Sequence, residues 1–190
     1  VQEYRKNVER LATCKRDLEA RQERFDEITE REGLLEVPHN DLQPRLDDIK
    51  NSLDPLERLW TSIKQFGDES HGWTESPLSD VDAEGAEKTC EELYRTFIKL
   101  GKEFERGGDR RINARKIADR FQAEIKTFLN ESIPLMLLIC NPGMKDRHWA
   151  DIETITGVRI PKGEVYTMNM MTELGIQHHV KAIEDICISA

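Results

Sequence analysis

The residues with the vocabulary for chemistry are His148, flanked by Asp146 and Asp151, and the adjacent pair His178-His179. Imidazoles and carboxylates serve both as metal ligands and as acid–base groups. Their spacing argues against that use. His148 and Asp151 share a helix face, but no H-E-x-x-H run sets two imidazoles side by side, and neighbouring histidines on a helix point about 100° apart. All three histidines are therefore read as surface or packing residues. Cys14, Cys90, Cys140 and Cys187 are scattered without a C-x-x-C pair, so zinc and redox chemistry lack their spacing. Reduced thiols on helices, in a cytosolic compartment, are expected. No G-x-x-x-x-G-K-[ST] run occurs, and Gly107-Gly108 lacks the Lys-Ser/Thr that follows in a phosphate loop. The segment is expected to hold no catalytic residue, cofactor or metal.

What the chain offers instead is a corner, Asn141-Pro142-Gly143-Met144-Lys145-Asp146-Arg147-His148-Trp149, placed after an unusually apolar run at 133–140. Proline fixes its own φ, glycine tolerates positive φ, and asparagine before proline is pushed out of the helical region. The helix should restart at about Met144. Trp149 brings a large apolar body with one N–H donor, and Arg147 a planar fork suited to a carboxylate or carbonyl. Together they would staple helix to helix. Asn141, Pro142, Gly143, Asp146, Arg147, His148 and Trp149 are the candidate site residues, in a structural role. Met144, Met168, Met170 and Met171 read as core filling ahead of an adaptable surface.

Long helices must position that corner. Tyr4, Leu11, Leu18 and Phe25 recur every seven residues, with Val1 and Val8 beside them, until Lys15 and Gln22 degrade the seam. This predicts a helix over 1–31, ended by Gly33 and the Pro38 region. The acidic residues of this helix, Glu19, Glu23, Asp26, Glu27 and Glu30, read as a solvated face. Leu46, Ile49, Leu53, Leu56, Trp60 and Ile63 form a second stripe, and Pro55 inside it predicts a kink or two helices meeting near Asp54. Residues 67–79 are rich in Gly, Ser, Asp and Pro and predict a loop pinned by Trp73. Ser79 with Asp82 resembles a capping box opening a third helix through Ala86, Cys90, Leu93, Phe97, Leu100 and Phe104, which Gly107-Gly108 ends. A fourth helix uses Ile117, Phe121, Ile125 and Phe128, and 133–140 is its buried end around Pro134. A short helix at 145–154 breaks at Gly157, and 158–166 reads as an extended loop or small hairpin. Residues 168–174 carry no clear pattern, and Ile176, Val180, Ile183, Ile186 and Cys187 predict a last helix.

Composition agrees with long helices: 37% of residues are hydrophobic, 34% charged and only 6% aromatic. The chain is long enough for one bundle or two small packed units. A net charge of -9 excludes general nucleic-acid affinity, and the basic cluster at 106–120 is interrupted by Asp109 and Asp119. No stretch approaches the roughly 18 apolar residues of a membrane span, and no signal-peptide pattern opens the chain. Both ends fall inside helical patterns without caps, which suggests a fragment of something larger.

The corner closely resembles the Asn-Pro-Gly-Met/Leu-x-Asp-Arg-His-Trp signature of the dynein heavy chain linker, in the form of axonemal, inner-arm members. The match is strongest over 135–190. Upstream, Leu59-Trp60, the loop holding Trp73 and Pro77, and the run from Tyr94 to Ile98-Lys99-Leu100 resemble the preceding helices of that family, so the resemblance covers about 37–190. It implies an all-α fold: an elongated bundle of long antiparallel helices, with a tail helix at 1–36, a joining bundle at 37–132 and the N-terminal part of the linker at 133–190. It also implies a mechanical segment coupling an ATP- and Mg-dependent AAA+ ring to tail displacement. The expected partners are the rest of the heavy chain, intermediate or light chains, other dynein-arm subunits and, through the parent, microtubules, in the cytoplasmic cytoskeleton of the ciliary axoneme. A spectrin-like scaffold or coiled-coil adaptor is the alternative, but it leaves 133–140 and the Asn-Pro-Gly turn unexplained. An all-helical metal-dependent enzyme would need two further ligands converging on His148 or His178.

Overall fold

A computed structural model describes residues 2–38, 41–161, 165–188 and 190. Among them every extended element is helical: α1 (Gln2–Leu34), α2 (Gln43–Glu75), α3 (Ala83–Arg106), α4 (Ile112–Ile139), α5 (Asp146–Thr156), α6 (Met168–Glu173) and α7 (Val180–Ile188), with 3-10 turns at Leu78–Asp80, Gly108–Arg111 and Ile176–His179. The chain forms two compact units, one of Val1–Gln65 with Leu100–Lys116, the other of Phe66–Lys99 with Ile117–Ala190.

In the first unit α1 lies antiparallel to the N-terminal part of α2. Leu18 is buried on the seam, while Tyr4, Leu11 and Phe25 are half-covered. The two residues that spoil the heptads turn out to be paired. Lys15 Nζ donates to Glu57 Oε2 at 2.5 Å, and Glu57 pushes the Lys15 ammonium above its ordinary value. Gln22 Nε2 donates to Gln43 Oε1 at 2.8 Å, and Lys50 Nζ donates to Gln22 Oε1 at 2.9 Å. A polar side chain at a seam position thus finds a polar partner on the facing helix in this register. Helix α1 passes through Gly33 and stops later than its sequence predicts. Glu36 takes the left-handed conformation at φ 52, the Glu36 amide bonds the Gly33 carbonyl and the Val37 amide bonds the Glu32 carbonyl. This is a Schellman closure with Glu where glycine is usual.

Helix α2 is one continuous helix with Pro55 buried inside it, which excludes the two-helix form of the expectation near Asp54. Moreover, residues 67–75 are helical rather than a loop. Phe66 packs edge-on against Phe128 of α4 at 5.9 Å, and Trp73 lies tilted on the same ring at 5.9 Å. Two aromatic contacts two turns apart on one face outweigh the low helix propensity of Gly67, Gly72 and their polar neighbours, which is about 1 kcal/mol per glycine. Trp73 does pin this stretch, but as a helix. Ile49, counted in the buried stripe, is 48% exposed, and the fully covered side chains of α2 are Leu59 and Ile63.

Helix α3 has the deepest stripe, since Ala86, Cys90, Leu93, Phe97, Leu100 and Phe104 are all buried. Its cap is Asp82 alone. Asp82 Oδ1 accepts from the Gly85 amide at 3.0 Å, whereas Ser79 donates to Asp80 instead of closing a capping box. Helix α4 runs unbroken through Pro134, as expected of a helix with an amphipathic first half and a buried end, where Ile133, Leu135, Met136 and Ile139 are covered. Phe97 and Phe121 stack at 5.9 Å with planes 20° apart.

Candidate functional site

The corner lies in the second unit, between the C-terminus of α4 and the N-terminus of α5. Asn141 organises it through three bonds. Its Oδ1 accepts from the Gly143 amide at 2.8 Å, its carbonyl accepts from the Met144 amide at 3.1 Å, and its Nδ2 donates to the Cys187 carbonyl of α7 at 3.0 Å. The first two close an Asx-type turn, which is why asparagine is the fitting residue before Pro142. The third ties that turn to the last helix, near the C-terminus of α7, where carbonyls lack intrahelical partners. Gly143 is required by space: a Cβ there would sit 2.4 Å from the Ala190 carbonyl oxygen.

Helix α5 starts two residues later than Met144, at Asp146, whose carboxylate suits the positive end of the helix. His148 is buried and works locally. Its Nδ1 faces the Lys145 backbone amide at 3.1 Å and its Nε2 faces Arg147 Nε at 2.9 Å. A neutral imidazole has one acceptor nitrogen, so each tautomer makes one of these bonds. Among the described residues the Arg147 guanidinium thus meets the adjacent ring, in one of the two tautomers, and no carboxylate or carbonyl fork. Trp149 is 8% exposed, with its indole 4.8 Å from the Tyr166 ring. Trp149 thus pairs with the Tyr166 ring, while Arg147 lies beside the His148 ring of its own helix.

Residues beyond the signature complete the corner. Tyr166 also offers its carbonyl to the Leu78 amide at 2.8 Å, next to an isolated antiparallel bridge between Pro77 and Thr167. After Gly157 closes α5 at φ 70, Glu153 Oε1 accepts from the Ile160 amide at 2.6 Å and holds 158–161 against the helix. The possible hairpin at 158–166 includes 162–164, which lie outside the described residues. Thr167 caps α6 by accepting from the Met170 amide at 3.2 Å, and Met168 and Met171 are buried, the core-filling role. Sequence spacing gave no signal for Tyr166 or for the Cys187 carbonyl. A turn residue's partner across about 46 positions leaves no periodic trace.

A cleft of about 340 Å³ opens beside the corner, with Pro77, Pro142, Met144, Trp149 and Tyr166 in its lining. Its walls, among the described residues, are mostly apolar and carry no carboxylate, imidazole or thiol. Among the described residues no three His, Cys, Asp or Glu side chains converge as a metal-binding group, and no helix is long and apolar enough to cross a membrane. His178 is exposed and His179 half-buried, apart from His148 in sequence and environment.

Burial raises the Cys140 and Cys187 thiols to about 11 and, with Glu69 adding to it, Cys90 to about 12. Thiolate is the reactive form. Iodoacetamide at about pH 7.5 should therefore add once, at exposed Cys14, and four times after denaturation, as read by intact mass. Rapid labelling of Cys90 in the native chain would contradict this packing. Because these folded values lie above the ordinary value of 9.0, the thiols support the fold below about pH 9, and that support is lost as the pH rises towards 11–12.

A family model described as dynein heavy chain, N-terminal region 2, matches residues 46–190. The chain is similar along its whole length to dynein axonemal heavy chain 3 of Homo sapiens, 31% identical over 191 residues, and of Mus musculus, 30% identical over 193. Over 88% of its length it is also similar, at 23% identity, to the dynein-1-beta heavy chain of the flagellar inner arm I1 complex of Chlamydomonas reinhardtii. The chain spans 4% of the length of each of these relatives. No solved structure matches it.

Proposed function

The chain belongs to the dynein heavy chain family, in its N-terminal region, and from that premise we propose that it is a mechanical segment of an axonemal motor. In this reading it carries displacement between an AAA+ ring, driven by ATP and Mg elsewhere in the heavy chain, and the tail. Residues 1–36 serve as a tail helix, 37–132 as the joining bundle and 133–190 as the start of the linker. The ring, the tail, intermediate or light chains and other dynein-arm subunits are its partners, microtubules are reached through the parent chain, and the ciliary axoneme is its place of work.

One observation carries the reading: a single side chain, Asn141, joins the end of α4, the turn and α7 through hydrogen bonds to backbone atoms. Backbone-anchored bonds beside a buried aromatic hold an angle better than long flexible ion pairs, which lose side-chain entropy when ordered. A segment that passes on force needs such a corner. Asp146, Arg147, His148 and Trp149 would keep the start of α5 in place, and Pro142 and Gly143 would shape the turn. A spectrin-like scaffold makes no use of this corner, and we set it aside.

Asn141→Ala in the full heavy chain removes both side-chain bonds at a local cost of about 1–3 kcal/mol. Microtubule gliding should slow several-fold while basal ATP hydrolysis is kept. Equal loss of both activities would overturn the coupling role.

A further inference from the structure

The first unit carries a surface that its own packing leaves unused. At the end of the α1–α2 pair, a groove of about 410 Å³ is lined by Phe25, Ile28, Leu42, Leu46 and Ile49, with Arg21, Arg24 and Arg45 around them. Ile28, Leu42 and Ile49 are 44%, 43% and 48% exposed. Large aliphatic side chains gathered in one concave patch mark an interaction site more often than scattered ones do.

The charge around this groove is the reverse of the chain's own. The net charge is -9, yet every charged residue in the lining is an arginine. None of the three guanidinium groups makes an ion pair or hydrogen bond among the described residues. The nearby acids Asp26 and Asp47 accept instead from the amides of Gln22 and Gln43, each at 2.8 Å. Arginine at the rim of an apolar groove suits a ligand that presents aliphatic side chains flanked by carboxylates.

We propose that this groove binds an amphipathic helix of a separate polypeptide, with an aliphatic stripe and acidic flanks. The stripe of such a helix recurs at i, i+3, i+4 and i+7 and fills the space between Phe25, Ile28, Leu46 and Ile49, while its Glu or Asp side chains meet Arg21, Arg24 and Arg45. The proposal does not depend on the corner at Asn141 or on force transmission.

Two synthetic helical peptides test it, sharing one leucine stripe and differing only in Glu or Lys flanks. Each is titrated by fluorescence anisotropy into the full chain. The Glu-flanked peptide should bind at least about tenfold more tightly, with affinity falling as salt rises, because three rim charge pairs add small screened increments. Arg21→Glu with Arg24→Glu and Arg45→Glu should invert the preference, and since all three positions are exposed, helix content by circular dichroism should be unchanged. Ile49→Ser should weaken both peptides. Equal binding of the two peptides, or a preference that survives the triple reversal, would overturn the proposal. Sedimentation that shows the chain pairing with itself, abolished by the triple reversal, would assign the groove to a second copy and overturn it as well.

Discussion

Phe97→Ala should destabilise the unit built from Phe66–Lys99 and Ile117–Ala190 by about 3–5 kcal/mol, the usual cost of emptying a buried aromatic site. Phe97 is fully covered on α3 and stacks on Phe121 of α4 at 5.9 Å. The change removes the transferred apolar surface, the ring contact, worth about 0.5–1.5 kcal/mol, and the packing of neighbours held in place on either side. Helices cannot collapse into a hole of that size without moving several turns, so relaxation recovers little. Phe97→Leu keeps much of the volume and should cost about 1.5 kcal/mol or less. Urea melts of the chain followed by circular dichroism would decide it. Equal losses for Ala and Leu would mean that burial at this position does not set stability.

Trp149→Ala should have a comparable global cost, about 3–5 kcal/mol, but a different local signature. The indole is buried against Tyr166, whose backbone also holds the Leu78 amide. Losing it frees the start of α5, which packs against α7. Amide exchange in α5 and α7 should therefore accelerate well beyond that of α3, because a helix opens locally where its own packing has been weakened. Trp149→Phe preserves an aromatic pair and should restore most of the protection. Uniform acceleration across the unit would show that Trp149 merely adds to a common core.

The all-helical class and most helix cores were legible because apolar spacing near the 3.6-residue period persists over several turns. The stripe of α3 shows this best, with all six of its sequence-marked residues buried. Pattern failed where tertiary packing overrode local chemistry. Residues 67–75 read as loop, since Gly67, Gly72 and their polar neighbours disfavour helix, and only Phe128, far along the chain, shows why they fold otherwise. At the corner, the turn at Asn141-Pro142-Gly143 was legible because its residues act on their own backbone. Its anchoring to Cys187 was not, and Arg147's preference for the His148 ring over a carboxylate depends on a side-chain position that type alone leaves open.

The seam between α1 and α2 also works as an address. Sliding α2 by one heptad in either direction would replace Glu57 with Lys50 or Lys64, so Lys15 would meet a like charge in place of its 2.5 Å partner. The same interruption that made the heptads look frayed thus disfavours the two nearest wrong alignments, by the modest margin of a half-exposed charge pair. A seam of uninterrupted leucine would hold more tightly and discriminate less, leaving α1 free to settle one repeat out of place or to zip onto another helix altogether.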